Sequence, residues 1–405
     1  MVLNSQNKFI RAFYIIVVAL LSGHVLQTTN LWGLYLPFAV GALSFLLLLF
    51  TTRSLRHTHD TYLLFVICIM IGCTMIVNSF AGFSSYFRII CYVFTAFFVA
   101  TFFPFRDTIN GYRNVITITT VIALICYVLL QTTDVFSALP VVKNGNDIEY
   151  RFALIYSFIE IIPERNCGMF WEPGLLATHL TIAMIVELLF VEKTDWKRVI
   201  LYSVSFFTAN SSAGFVLLLL CLFLAIVRRT NGSKADIIKI LLSFIALIAL
   251  IYIVSNFDWI LEETTLGENE YFQKLETENI KESSRSLAIP HNLKAFANDP
   301  IFGAGFVEVG KQMEHVADTS TSTYMLSVFG VLGISYTIAW IYGILKLRNA
   351  NLLSKLVLLA IFLIIVNKEP HHIIVFSWCL LFYFVSGKAQ QSIGTRTKKE
   401  ELVLG

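Results

Sequence analysis

Apolar runs of roughly twenty residues, almost free of charge, recur from one end of this chain to the other. Such runs match a helix crossing a bilayer, where every backbone amide must be satisfied internally. Of the 405 residues, 57% are hydrophobic and only 14% are charged, against roughly a quarter charged in a soluble domain. The chain therefore reads as one all-α polytopic membrane domain over 1–405. Spans are expected near 9–28, 31–50, 62–80, 87–105, 115–131, 173–191, 197–209, 213–227, 237–256, 323–345, 352–367 and 371–386. That makes about twelve, in a range of ten to fourteen. The uncertain pair is the short seventh and eighth spans, which flank Asn210-Ser-Ser-Ala-Gly214.

Basic residues of short loops mark the cytoplasmic side. Lys8 with Arg11, Arg53 with Arg56, Arg106 with Arg113, Lys193 with Lys197 and Arg198, Arg228 with Arg229, Lys346 with Arg348, and the Lys388–Lys399 tail all fall on one side. The short loops opposite hold little more than Arg88 and Lys368. Both termini are thus expected in the cytoplasm, with a tail over 387–405. Two long loops, about 132–172 and 257–322, then face outward, and loops of that length usually carry function. The second runs from an acidic stretch into Ser284-Arg285-Ser-Leu-Ala-Ile-Pro-His-Asn-Leu-Lys-Ala-Phe. That run predicts a short surface helix ending at Asn298-Asp299-Pro300, with Leu287, Leu293, Phe296 and Ala297 on one face.

Candidate chemistry gathers in these loops. Arg165-Asn-Cys-Gly-Met-Phe-Trp-Glu-Pro-Gly174 places an arginine and a glutamate at the mouth of an apolar helix, where uncompensated charge is costly. Glu172-Pro173-Gly174 also reads as a helix start, with an acid at the cap and proline in the first turn. In a site, Glu172 would take a proton from a sugar hydroxyl or hold the sugar. The planar fork of Arg165 suits phosphate, with salt bridging to Glu160 or Glu164 as the structural alternative. Arg151 lies upstream and Trp171 precedes the glutamate; both are assigned to substrate binding. Arg285 opens the predicted surface helix, a place that suits an anion, unless it pairs with Glu282. His315, just before a late span, reads as a solvated loop histidine on spacing alone; in a site it would serve as a base near neutral pH. His371 and His372, after Glu369-Pro370, read as a helix-start cap in a short loop. Pro300-Ile-Phe-Gly-Ala-Gly-Phe306 is a turn signal, and Asn210–Gly214 supplies small residues for close helix contact, with a sugar or lipid-phosphate contact at Asn210 or Ser211 as the weaker alternative.

Other chemistries find little support. Six of the seven cysteines lie in apolar spans, leaving only Cys167 in a polar segment, so no disulfide framework is expected. No Cys/His spacing suggests a metal, and no basic tract suggests nucleic acid. No small-x-small cleavage site follows the first apolar run, which is expected to remain as the first membrane helix.

Several features together resemble the bacterial O-antigen polymerase and ligase superfamily. They are the many spans, an outer R-x-x-G-x-F-x-E-P-G leading into a helix, the S-S-A-G turn, and a late loop with R…P-x-F-G-x-G…H before a G-x-x-G helix (Gly330 to Gly333). The E-P-G element is similar to the Wzy-type polymerases. The resemblance spans most of the chain by topology and about forty residues by motif. Neither Arg165 nor Arg285 has the glycine that some polymerases carry after ten further residues, and Val316 replaces the asparagine that follows the ligase histidine.

The resemblance implies a GT-C-like helical fold in the inner membrane and a metal-independent, cofactor-free, inverting glycosyltransferase. Its substrates would be undecaprenyl-diphosphate-linked oligosaccharides embedded in membrane lipid, and its partners a chain-length regulator and a flippase. Arg165 and Arg285 would clamp diphosphate, and Glu172 with His315 would serve catalysis. Two alternatives are a ligase that moves finished chains to lipid A core and a transporter of lipid-linked sugars. A transporter would carry its charges inside spans and show a two-fold repeat, whereas here the charges lie in outer loops.

Overall fold

The computed structural model describes residues 8–51, 58–144, 148–228, 284–312, 319–348 and 350–390. The expected span 237–256 lies outside them. The described helices are α1 (Lys8–Leu20), α2 (Asn30–Thr51), α3 (His59–Val77), α4 (Phe83–Phe102), α5 (Phe105–Thr132), α6 (Pro173–Ile185), α7 (Trp196–Ala209) and α8 (Ser212–Val227). They continue with α9 (Ser284–Asn298), α10 (Gly305–Gln312), α11 (Thr321–Phe329), α12 (Ile334–Leu345), α13 (Leu352–Lys368) and α14 (Val375–Ser386). Six helical stretches among the described residues are long and apolar enough to cross a membrane: Trp32–Phe50, α3, α4, α5, Pro173–Phe190 and Thr321–Leu345. The molecule is thus a mostly helical protein of membrane character.

Two helices form its interior. α14 is apolar on every side and buried over nearly its whole length, packing on α3, α4 and α12. A helix without a polar face belongs inside a bundle. α6 is buried likewise and ends in a π turn, Val186–Phe190. Both begin at the same end of the bundle, the end that carries the 132–172 loop, since Gly174 at the start of α6 lies against Glu369 just before α14. α2, α3 and α5 show large apolar side chains outward, among them Tyr35, Phe50, Phe65 and Ile125, as lipid contact requires.

Three expectations need correction. The first span is not one helix over 9–28. α1 stops at Leu20, and His24 then pairs in extended fashion with Phe170, because the glycine-histidine step gives its backbone partners to another segment. Residues 323–345 are interrupted where Gly330, with φ +63°, turns the chain between α11 and α12. The 132–172 loop is not all-α. It holds an antiparallel sheet in the order β1 (Val141–Lys143), β2 (Glu149–Ala153), β3 (Tyr156–Ile159), with Arg151 opposite Phe158 and Tyr150 opposite Ile159.

The predicted surface helix exists as α9 and ends at Asn298, but its inward face differs. Ala288, Asn292 and Ala295 are buried, while Leu287 and Leu293 point away from the protein. Small side chains let α9 lie close on α11, where Asn292 Nδ2 donates to Thr323 Oγ1 at 3.1 Å. The following Gly303-Ala-Gly305 is the expected turn. Gly303 has φ +75°, and a Cβ there would lie 2.2 Å from the Val328 carbonyl oxygen, so only glycine fits.

Candidate functional site

The segment Arg165–Trp171 is held from two sides. From β3, Ser157 N donates to the Gly168 carbonyl at 2.6 Å and Ser157 Oγ to the Phe170 carbonyl at 2.9 Å. From the broken first span, Val25 N donates to the Met169 carbonyl at 3.2 Å, while Trp171 N donates to the Gly23 carbonyl at 3.1 Å. Asn166 anchors the stretch to α7 through Thr208, its Nδ2 donating to Thr208 Oγ1 at 3.0 Å. Glu172 follows, half-buried at the cap position of α6, with Pro173 in the first turn. Its side chain accepts no bond from the first-turn amides, so the backbone follows the expected helix start while the carboxylate is turned elsewhere. It stands within electrostatic reach of Cys167 and Tyr150 and helps to raise the Tyr150 phenol.

The other predicted residues have distinct places. Arg165 is half-buried near Cys167, and Trp171 is buried. Arg151 is engaged in the sheet. Its guanidinium donates to Glu160 Oε1 at 2.8 Å, and also to the Ser137 and Leu139 carbonyls. Arg285 begins α9, but its side chain, like the whole of His315, lies outside the described residues.

Cys167 is wholly buried, and burial pushes its thiol up to about 12, against a smaller opposing pull from Arg165. The reactive thiolate is therefore absent at ordinary pH. A charged maleimide at pH 8.5 should leave Cys167 unmodified in native membranes and label it after denaturation in SDS. Rapid native labelling, read by mass spectrometry, would show that the clamp on this segment is wrong.

The most concentrated polar cluster lies where short-loop reasoning saw a cap. Lys368-Glu-Pro-His-His372 joins α13 to α14, and all four of its polar side chains are buried. His371 and His372 sit in a 3-10 turn (His371–Ile373), and the cap position of α14 is Ile374, which overturns the expected capping role. Lys368 Nζ donates to Ser211 Oγ at 2.6 Å, bringing in the small-residue turn ahead of α8. Thr321 Oγ1 donates to the Glu369 carbonyl at 2.9 Å and accepts from His371 N at 2.7 Å. His371 Nδ1 lies 2.7 Å from Ser377 Oγ. The His372 ring stacks on Tyr324 with centroids 4.6 Å apart.

This cluster and the E-P-G element form one locus. A Cβ on Gly174 would lie 2.0 Å from Glu369 Oε1 and 3.2 Å from Lys368 Cε, so glycine is there to admit those two side chains. The Gly174→Ala variant should destabilise the protein by about 1–3 kcal/mol, the usual cost of overpacking. A melting curve equal to wild type would show that Glu369 does not press on α6. α9 packs on α11 beside the same locus, which brings part of the late loop over it.

Reading loops one by one missed Lys368, Glu369 and Thr321, while Ser211 stood only as a weaker alternative to helix contact. One signal was present: Lys368 and Arg88 are the basic residues that break the charge asymmetry of the short loops. Among the described residues no group of three or more His, Cys, Asp or Glu side chains is arranged to hold a metal ion. Comparison with protein families, curated proteins and solved structures finds no match to this chain.

Proposed function

We propose that this chain polymerises lipid-diphosphate-linked oligosaccharide repeat units at the outer face of the bacterial inner membrane. In this reading the fold is a GT-C-like bundle of about twelve spans, both termini are cytoplasmic, and the loop-bearing end faces outward. A chain-length regulator and a flippase would work beside it. The observation that carries the reading is the convergence of Glu172-Pro-Gly174 with Lys368-Glu-Pro-His-His372 at the one end of an apolar bundle that bears a long loop.

A glycan-transfer site needs fixed cations for the diphosphate and a carboxylate for the acceptor. The acceptor hydroxyl oxygen would attack the anomeric carbon from the face opposite the diphosphate. Its proton would pass to Glu172, the more exposed carboxylate. The carbon–oxygen bond to the diphosphate would break, and the lipid diphosphate would leave with the electron pair. Energy comes from that bond, so the step consumes no nucleotide sugar. Glu369, deeper, would shape the polar surroundings in which the acceptor and imidazoles lie.

Deletion of the gene tests the reading through surface glycan separated on a gel. A polymerase deletion leaves a single repeat unit attached to core, and a ligase deletion leaves none. An unchanged ladder of chain lengths would reject both.

A further inference from the structure

The charge pattern of the short loops leaves one arginine without an explanation. Arg88 lies in the second turn of α4 at the loop-bearing end, half-buried. Four other partly buried arginines of the bundle and its sheet show how such a cation is often accommodated. Arg11 pairs with Asp107, Arg113 with Glu187 at 3.0 Å, Arg151 with Glu160 at 2.8 Å, and Arg198 with Asp195 at 3.4 Å. Lys388 does the same with buried Asp60 at 3.3 Å.

No such carboxylate lies against Arg88 among the described residues, and its buried Nε has no hydrogen-bond partner there. Arginine does not escape by losing its proton, and a cation held partly out of water without an opposite charge is costly. An anion from outside the described chain would remove that cost.

Its neighbours indicate where the anion would sit. The His371–Ile373 turn packs on α4, and Arg88 lies within electrostatic reach of His372 and Tyr92. His372 is stacked on Tyr324, and Tyr92 accepts from Gln27 Nε2 at 3.3 Å. These neighbours bring donors and rings but no negative charge. We propose that Arg88 binds a phosphate or diphosphate group beside the His372–Tyr324 stack, as a binding residue separate from the two long loops. The proposal rests on the transfer reading for the identity of its lipid-borne ligand, while the anion site itself stands on the geometry.

The test uses the purified full chain in nanodiscs. Titration with inorganic pyrophosphate forms one arm, and a polyprenyl diphosphate incorporated in the disc forms the other. Arg88→Gln should weaken binding at least tenfold in whichever arm the wild type binds. Arg88→Lys, which keeps the charge and loses the fork, should fall between the two. A thermal melt of each variant monitors folding, and the lysine variant keeps the comparison valid should glutamine unfold the protein. Tighter binding of the lipid form assigns the site to a headgroup, and equal binding assigns it to a free anion. Wild-type protein that binds neither probe, or variants within twofold of wild type, would overturn the proposal. Should Arg88→Gln lose pyrophosphate while gene deletion leaves the glycan ladder intact, the anion site stands and the polymerase reading falls.

Discussion

Glu369→Gln is expected to cut polymerised glycan at least a hundredfold while the protein remains folded in the membrane. The substitution keeps volume and shape, so Gly174 and Lys368 still have a neighbour of the same size. What changes is the acid, since an amide can neither take up nor release a proton. A carboxyl group with no exposed surface is costly to bury, and a protein that needed only packing there would do better with an apolar group. Loss of a group that sets proton transfer typically costs 10²–10⁴-fold. The measurement is the chain-length ladder, quantified beside a melting curve. Activity within threefold of wild type would show that Glu369 only fills space.

Arg165→Ala and Glu172→Gln should each abolish long chains, again with normal amounts of protein in the membrane. The two act on different parts of the step. Removing the guanidinium takes away a phosphate or sugar contact, which should raise the substrate concentration needed. Removing the carboxylate should lower turnover with substrate binding largely kept, and an in vitro assay separates the effects as KM against kcat. A full ladder from both variants would remove the Arg165–Gly174 segment from the site and leave Lys368–His372 to account for any activity. A defect in Glu369→Gln alone would make Glu172 a simple helix-start residue.

Much of the bundle was legible in hydropathy, since span length is set by bilayer thickness. Residues 31–50 and 213–227 match α2 and α8 within a residue. Hydropathy fails where a run stays apolar while its backbone changes course. Leu21 to Thr28 hold the weak helix formers Gly23 and His24, but it is the pairing with Met169–Trp171 that fixes where the chain leaves the helix. The strands were illegible for another reason: three to five residues each are too few for an alternation to stand out.

The site was half legible. Glu172 and Arg165 stood out because they sit in a long loop, where charge draws notice. Lys368 to His372 occupy a short one, and a short polar connection ordinarily needs no further explanation. Their burial is a tertiary fact, produced when α11 and α8 supply Thr321 and Ser211 as partners.

The break in the first span has a consequence for biogenesis. α1 ends at Leu20, and from Leu21 to His24 the backbone leaves the helix before a 3-10 turn over Val25–Thr28. Backbone of that kind is not tolerated against lipid unless protein covers it. The covering strand is Met169–Trp171, made some 145 residues later by the spacing of His24 and Phe170. The segment after α1 is therefore completed only when the much later loop bearing the candidate site has folded back onto it. Covering that backbone and assembling the candidate site become a single event.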